Sequence, residues 1–293
     1  MQLGTILMII VSLWLVLIIA TSKFFIRFEN NYWFWFFIGG FMFFYMIIGR
    51  QIQFLIPSWN AADDNSTFAI SIRHSRLLLL DICPFFAIFA GLGLMVTKNK
   101  LVIRSVAPIA LFGGLINLYG ELFRLANQYT GKLEAYKFIF IGIGNDQLYF
   151  ILHVMTTSVA LMLLCWTTKW TPRDILNQYL FIAVYVTYVL SCIQLDRKIT
   201  NNANGLLIAD WYIGGEYQSV STILRVPFPN VIPVGIMITM ISITLIWAIR
   251  YGVQELNARI INPSLSKKQI KLDVRYLWKN LKYSYLKWRN KTR

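Results

Sequence analysis

Seven stretches of about 20 mainly apolar residues recur along this chain, and they constrain its fold more than any motif does. They run over about 4–25, 32–56, 77–97, 101–122, 147–168, 177–195 and 231–252. Wound as helices at roughly 1.5 Å per residue, such stretches match the roughly 30 Å hydrocarbon core of a bilayer. In lipid the backbone must satisfy its own hydrogen bonds, so a spanning segment of this kind is helical. The reading is an all-α polytopic membrane protein with about seven transmembrane helices. Composition agrees, because charged residues make up 14% of the chain, where a soluble domain carries about 25%. A soluble globular class is excluded.

The opening MQLGTILMIIVSLWLVLIIATSKFF has no basic n-region and no clean small-x-small cleavage site, so it reads as the first spanning helix. Short connectors carry Lys23 and Arg27, then Lys98, Lys100 and Arg104, then Lys169 and Arg173. With seven spans these fall on the same side as the basic C-terminal tail. The positive-inside rule makes that side cytoplasmic. The N-terminus and the long connections at about 57–76, 123–146 and 196–230 are then expected outside, with the plasma membrane as location.

The sequence divides into a membrane domain, 1–253, and a basic cytoplasmic tail, 254–293. Much of the net charge of +15 sits in that tail. Within it Ile270, Val274, Leu277, Leu281, Tyr285 and Trp288 recur at steps of three and four, which builds one apolar face. Lys267, Lys268, Lys271, Lys279 and Lys282 complete an amphipathic helix suited to an anionic lipid surface. A topology-setting tail of partial order is the blander alternative. The expected partners are membrane lipids and not nucleic acid, with the oligomeric state left open.

One stretch carries more chemistry than its neighbours. LLLLDICPFF, residues 77–86, places Asp81 in an apolar run, where a carboxylate costs roughly 2.5–3.5 kcal/mol at a helix centre. Near the interface, paired with Arg73, Arg76 or another helix, Asp81 costs less, and it stands among the candidate orienting groups of the site. Cys83 and His153 each lie about six residues into a span entered from outside, roughly 9 Å deep. A thiol and an imidazole at one depth suit a nucleophile and its base: burial disfavours the thiolate, and the imidazole takes its proton. Pro84 is expected to bend the helix beside the sulfur and free the Leu80 carbonyl. Against this stand plain packing of the thiol and a Cys83–Cys192 disulfide. Cys165 reads as packing.

Asn117 and Glu121 are four residues apart and share a helix face, as orienting groups for a substrate or the base. Gly113 and Gly114 invite close approach of a neighbouring helix. Tyr188 adds a hydroxyl to the sixth span. No pair of cysteines has zinc-ligand spacing and the histidines are His74 and His153, so no metal or other cofactor is expected.

LLLLDICPFFAIFAGLGLMVTKNKLVIRSVAPIALFGGLIN resembles the YwaF-like integral membrane family, in which a Leu-Pro-Leu-His-Leu-Cys helix precedes a glycine-bearing one. QLYFILHVMTTSVALML is similar to that family's Phe-Phe-x-Ser-His segment, and TILRVPFPNVIPVGIMI to its Gly-Pro-Trp-Pro-Trp-Tyr entry into the last helix. The resemblance covers about 75–250 and implies a seven-helix fold. Animal relatives of the family are proposed to be phospholipid acyltransferases using a cysteine and a histidine, which fall here on Cys83 and His153. Asp81 stands where that family has histidine, and leucine stands where it has proline, unless that position is shifted out entirely. Two functions remain in view: phospholipid acyl transfer, or a non-catalytic transporter or solute-binding component with Asn117, Glu121, His153 and Tyr188 along a polar path. A scaffold acting through its tail is a third.

Overall fold

The computed structural model describes residues 3–52, 78–80, 82–97, 101–128, 138–139, 145–168, 170–195, 225 and 231–261. All regular structure among them is helical. The principal elements are α1 (Leu3–Ala20), α2 (Tyr32–Phe44), α3 (Ile82–Val96), α4 (Ala107–Gln128), α5 (Asn145–Cys165), α6 (Pro172–Leu195) and α7 (Val231–Ile261). α2 runs on through π-helical turns over Tyr45–Ile52, and a short helix, Leu101–Ser105, precedes α4.

Among the described residues, six stretches are long and apolar enough to cross a membrane: Leu3–Ala20, Tyr32–Gly49, Ala107–Ala126, Gln147–Cys165, Pro172–Cys192 and Pro233–Leu256. α3 is equally apolar but has 15 residues, about 22 Å of helix and less than a bilayer core. The chain divides into two compact units, Met1–Ala248 and Ile249–Arg293, and the division falls within α7.

What the bundle leaves uncovered requires lipid. α1 buries Leu3, Leu7, Val11, Leu15 and Ile18 at helical steps and leaves Leu13, Val16 and Leu17 exposed. α2 exposes Trp33, Phe37, Phe41 and Phe44 in the same manner. Helices apolar on every side belong to a membrane or a large core, and these faces have no core to enter.

Inside, α4 packs on α5, α2 on α3, and α1 against both α4 and α5. Three of these seams depend on glycine, that of α1 on α4 through Gly4, where a β-carbon would lie 2.3 Å from the Ala126 backbone nitrogen. A β-carbon on Gly39 would lie 2.6 Å from the Gly91 carbonyl oxygen and 2.7 Å from Leu94 Cβ, so α2 meets α3 almost backbone to backbone. A β-carbon on Gly114 would lie 2.5 Å from Thr157 Oγ1, which marks the α4–α5 seam. Of the expected glycine pair only Gly114 makes a close approach, because a β-carbon on Gly113 would meet Ile82 at an ordinary 3.9 Å.

The clearest departure from the apolar pattern precedes α3. The run 77–97 reads as one helix, yet Leu78 and Leu79 form a turn, with Leu79 at φ 55°, and the helix begins at Ile82. Pro84 therefore falls in the first turn of α3, where a backbone N–H has no helical acceptor. It starts the helix and does not bend it, which corrects the kink expected beside Cys83.

Two tyrosines of α6 hold the turn. Tyr185 Oη donates to the Leu80 carbonyl and Tyr188 Oη to the Leu78 carbonyl, both at 2.5 Å. Three residues apart, they share a face, and the Phe85 ring packs on both with centroid distances of 5.0 and 5.6 Å. Tyr185→Phe keeps this packing and deletes one donor. It is expected to lower the unfolding midpoint in detergent by an amount equivalent to about 1 kcal/mol. An unchanged midpoint would mean that packing alone holds the turn.

Two further boundaries have local causes. Pro108 removes a donor and crowds the carbonyl four residues back, so the stretch 101–122 breaks at Val106. α6 begins at Pro172, earlier than its apolar run. Proline suits the first helical position, and the Asp174 carboxylate accepts the Thr171 N–H at 2.6 Å in a capping arrangement.

Candidate functional site

Cys83, the second residue of α3, is buried to 4% exposure. Asn117 of α4 directs its amide nitrogen at the sulfur, with Nδ2 3.9 Å from Cys83 Sγ and 3.0 Å from the Gly113 carbonyl oxygen. An amide NH2 has two hydrogens, so both contacts coexist. Its other end, Oδ1, accepts from Tyr149 Oη of α5 at 3.4 Å, and the Gly113 carbonyl, which only accepts, fixes which end faces the sulfur.

The Tyr149 ring lies against the His153 imidazole, one turn later on α5, with centroids 4.1 Å apart. His153 is buried, and its Nδ1 is 2.7 Å from the Tyr149 carbonyl oxygen. A carbonyl only accepts. Nδ1 therefore carries the hydrogen of the neutral ring, and Nε2 is the nitrogen able to take a proton.

Three helices thus bring together a thiol, an amide, a phenol and an imidazole. Cys83 and His153, picked out by depth, are linked through Asn117 and Tyr149. The sequence reading had not singled out Tyr149, although its place one turn before His153 on the same helix face was the available signal. Among the described residues no group of three or more His, Cys, Asp or Glu side chains converges as a metal site.

Other expected participants are placed elsewhere or lie out of view. Glu121 is buried and engages the Arg124 guanidinium at 2.8 and 2.5 Å. Tyr188 secures the turn before Cys83, as described above. No disulfide joins any of the three cysteines, which corrects the Cys83–Cys192 alternative; Cys192 packs beside the Leu80–Tyr185–Val189 cluster. Asp81 lies outside the described residues, as do Lys267, Lys268, Lys271, Lys279 and Lys282.

A second polar network escaped the sequence reading. Arg104, read as a connector charge, is 7% exposed and pairs with Asp174, which is fully buried. Arg104 Nε and Nη2 reach the two carboxylate oxygens at 3.2 and 3.3 Å, and Nη1 reaches the Thr168 carbonyl at 2.6 Å. Thr168 in turn donates its N–H and hydroxyl to Glu29 at 2.8 and 2.5 Å. Arg104 is therefore not a solvated charge. It ties the short helix before α4 to the start of α6.

The fold and the site define a helical membrane protein with a polar row across α3, α4 and α5, buried at Cys83 and His153 and opening outward at Tyr149. The chain belongs to the Family of unknown function (DUF5378), whose model matches residues 9–289. It is similar to "Uncharacterized protein MG135" of Mycoplasma genitalium, at 34% identity over 186 residues, covering 63% of this chain and 65% of that protein. It is similar also to "Uncharacterized protein MG135 homolog" of Mycoplasma pneumoniae, at 30% identity over 196 residues, covering 64% and 67%. The chain thus spans about two thirds of the length of these curated relatives. No solved structure matches it.

Proposed function

We propose that this protein is a phospholipid acyltransferase of the plasma membrane that works through a Cys83 thioester, in keeping with the YwaF-like resemblance. The observation that carries the reading is the contact of His153 Nδ1 with the Tyr149 carbonyl oxygen at 2.7 Å. With Nδ1–H held by the Tyr149 carbonyl, Nε2 is left as the base in a site that also contains a buried thiol. His153 takes the thiol proton, and the sulfur pair forms a bond to the carbonyl carbon of a lipid ester. As the tetrahedral centre collapses, the ester C–O bond breaks and the leaving alkoxide takes the proton back from His153. The products are a Cys83 thioester and a lysolipid, and the hydroxyl of a second lipid then receives the acyl group by the reverse sequence.

The topology that goes with this reading has seven crossings, the N-terminus and long connections outside, and the basic tail on the cytoplasmic leaflet. Counting α3 as a crossing requires non-helical backbone at membrane depth, which is tolerated where protein satisfies it. The tyrosine hydroxyls on the Leu78 and Leu80 carbonyls do this.

Intact mass of gently extracted protein, with and without neutral hydroxylamine, tests the proposal. A hydroxylamine-labile acyl adduct on the wild type that is absent from Cys83→Ala is expected, with loss of acyl turnover in His153→Ala. Wild-type protein that gains no such adduct from phospholipid, and whose Cys83 resists a lipid-soluble alkylating agent, would overturn it in favour of a solute path.

A further inference from the structure

The threonines of α5 do not behave like the other helical hydroxyls. Thr167, Thr187, Ser191, Thr239 and Thr244 each return the hydroxyl to the carbonyl four residues back, at 2.5 to 2.9 Å. This is the usual way for a hydroxyl in an apolar helix to satisfy itself. Ser158, next along α5, accepts instead from Trp14 Nε1 at 2.8 Å. Thr156 and Thr157 are fully buried, and neither hydroxyl has a hydrogen-bond partner among the described residues. Leaving such a group unpaired costs about 1–3 kcal/mol.

Their position gives that cost a use. Three and four residues after His153, they lie one turn further along α5 and bracket the direction of the imidazole. Thr157 faces α4 at Gly114, where the missing side chain leaves room: a β-carbon there would fall 2.5 Å from Oγ1, with the Thr157 backbone at an ordinary 3.4 Å or more. Three residues beyond Gly114, on the same side of α4, stands Asn117, whose amide nitrogen directs one hydrogen at the Cys83 sulfur and the other at the Gly113 carbonyl. One seam therefore presents a hydroxyl donor at Gly114 and, one turn along α4, an amide donor beside the thiol. Donors of this kind, neutral and fixed in a buried site, suit a ligand that brings an acceptor oxygen and gains negative charge during reaction.

We infer that the Thr157 hydroxyl and the Asn117 amide form the oxyanion site for an acyl carbonyl attacked by Cys83, and that the group bound there is the uncharged ester of a lipid acyl chain. The inference rests on Cys83 as nucleophile. When the sulfur–carbon bond forms, the carbonyl π pair moves to oxygen. Thr157 Oγ–H and Asn117 Nδ2–H donate to that oxygen until the double bond reforms and the alkoxide leaves. Thr156 adds a second hydroxyl to the same stripe.

Two reactions of Cys83 separate this role from a merely structural one. Alkylation by a lipid-soluble alkyl iodide needs the thiolate but no oxyanion. Acylation by a p-nitrophenyl acyl ester needs both. In full-length protein in detergent, Thr157→Val is expected to keep its alkylation rate within about twofold of wild type. Its acylation rate should fall about 10²-fold, the typical loss of one such donor. Thr157→Ser should acylate close to the wild-type rate. Gly114→Ala, which places a methyl on the hydroxyl, should reproduce the defect of Thr157→Val without altering the threonine.

Wild-type acylation rates in both Thr157→Val and Gly114→Ala would overturn the oxyanion assignment and leave the thioester reading standing. An equal fall in both reactions would also overturn it, by placing the effect on the sulfur and not on the carbonyl. A wild-type protein that is alkylated but never acylated would sink the acyl-transfer reading itself, and the inference with it.

Discussion

Asp174→Ala should lower the stability of this protein by about 3–5 kcal/mol, the cost of leaving one partner of a buried ion pair without the other. The residue is fully buried. Its carboxylate receives both Arg104 contacts and, through Oδ2, the N–H and hydroxyl of Thr171 at 2.6 and 3.0 Å. The substitution thus strands a guanidinium and uncaps α6 at once. Arg104→Met should cost a similar amount by stranding the carboxylate.

The double variant Arg104→Met/Asp174→Ala removes both charges and should recover part of the loss. Recovery stays incomplete because the cap of α6 is still missing. Thermal unfolding of the four proteins in one detergent gives the coupling energy directly. Additive losses, or an Asp174→Ala midpoint indistinguishable from wild type, would show that water reaches the pair and screens it.

Gly39→Leu is expected to be at least as damaging, for a reason of shape and not charge. Inserting atoms into a tight seam typically costs 1–3 kcal/mol at about one or two methylenes. Here the first added atom already falls 2.6 Å from the carbonyl oxygen of Gly91. Backbone cannot rotate away as a side chain can, so α2 and α3 must separate. Gly39→Ala should destabilise by about 2–3 kcal/mol, and Gly39→Leu should yield little folded protein by size-exclusion and melting measurements. Gly120→Ala is the matched control. Nothing lies within 4 Å of its would-be β-carbon, and alanine is the better helix former by about 1 kcal/mol. Equal losses at the two positions would refute the close crossing. The seam bears on the site because α3 carries Cys83.

Much of the site was legible because the rule that exposes it is local. A histidine or cysteine inside an apolar run stands out without any knowledge of its neighbours, and helical rise converts position into depth. Asn117 followed from the same logic. Tyr149 did not, because a tyrosine near the end of a span is ordinary at a membrane interface. Its role comes from the Asn117 amide across the seam. Thr156 and Thr157 were equally silent, since a buried threonine in a helix usually bonds its own backbone, and only the packing shows that these two do not.

The sequence by itself determined the class of this protein: an apolar run of about 20 residues has no stable place outside lipid or a large core, and the backbone in lipid must be helical. It also determined where α6 starts, through the proline at 172 and the aspartate at 174. The tertiary structure decided the rest. The run at 77–97 is apolar throughout, so nothing in its periodicity forecasts the turn at Leu79, which exists because two tyrosine hydroxyls of α6 accept the burden of satisfying the Leu78 and Leu80 carbonyls. Arg104 carries the same charge whether it is solvated or paired, and its burial depends on Asp174, 70 residues away in the chain. Hydropathy is a property of a segment and can be summed along it. Hydrogen-bond partners belong to pairs of segments, and only folding brings those pairs into contact.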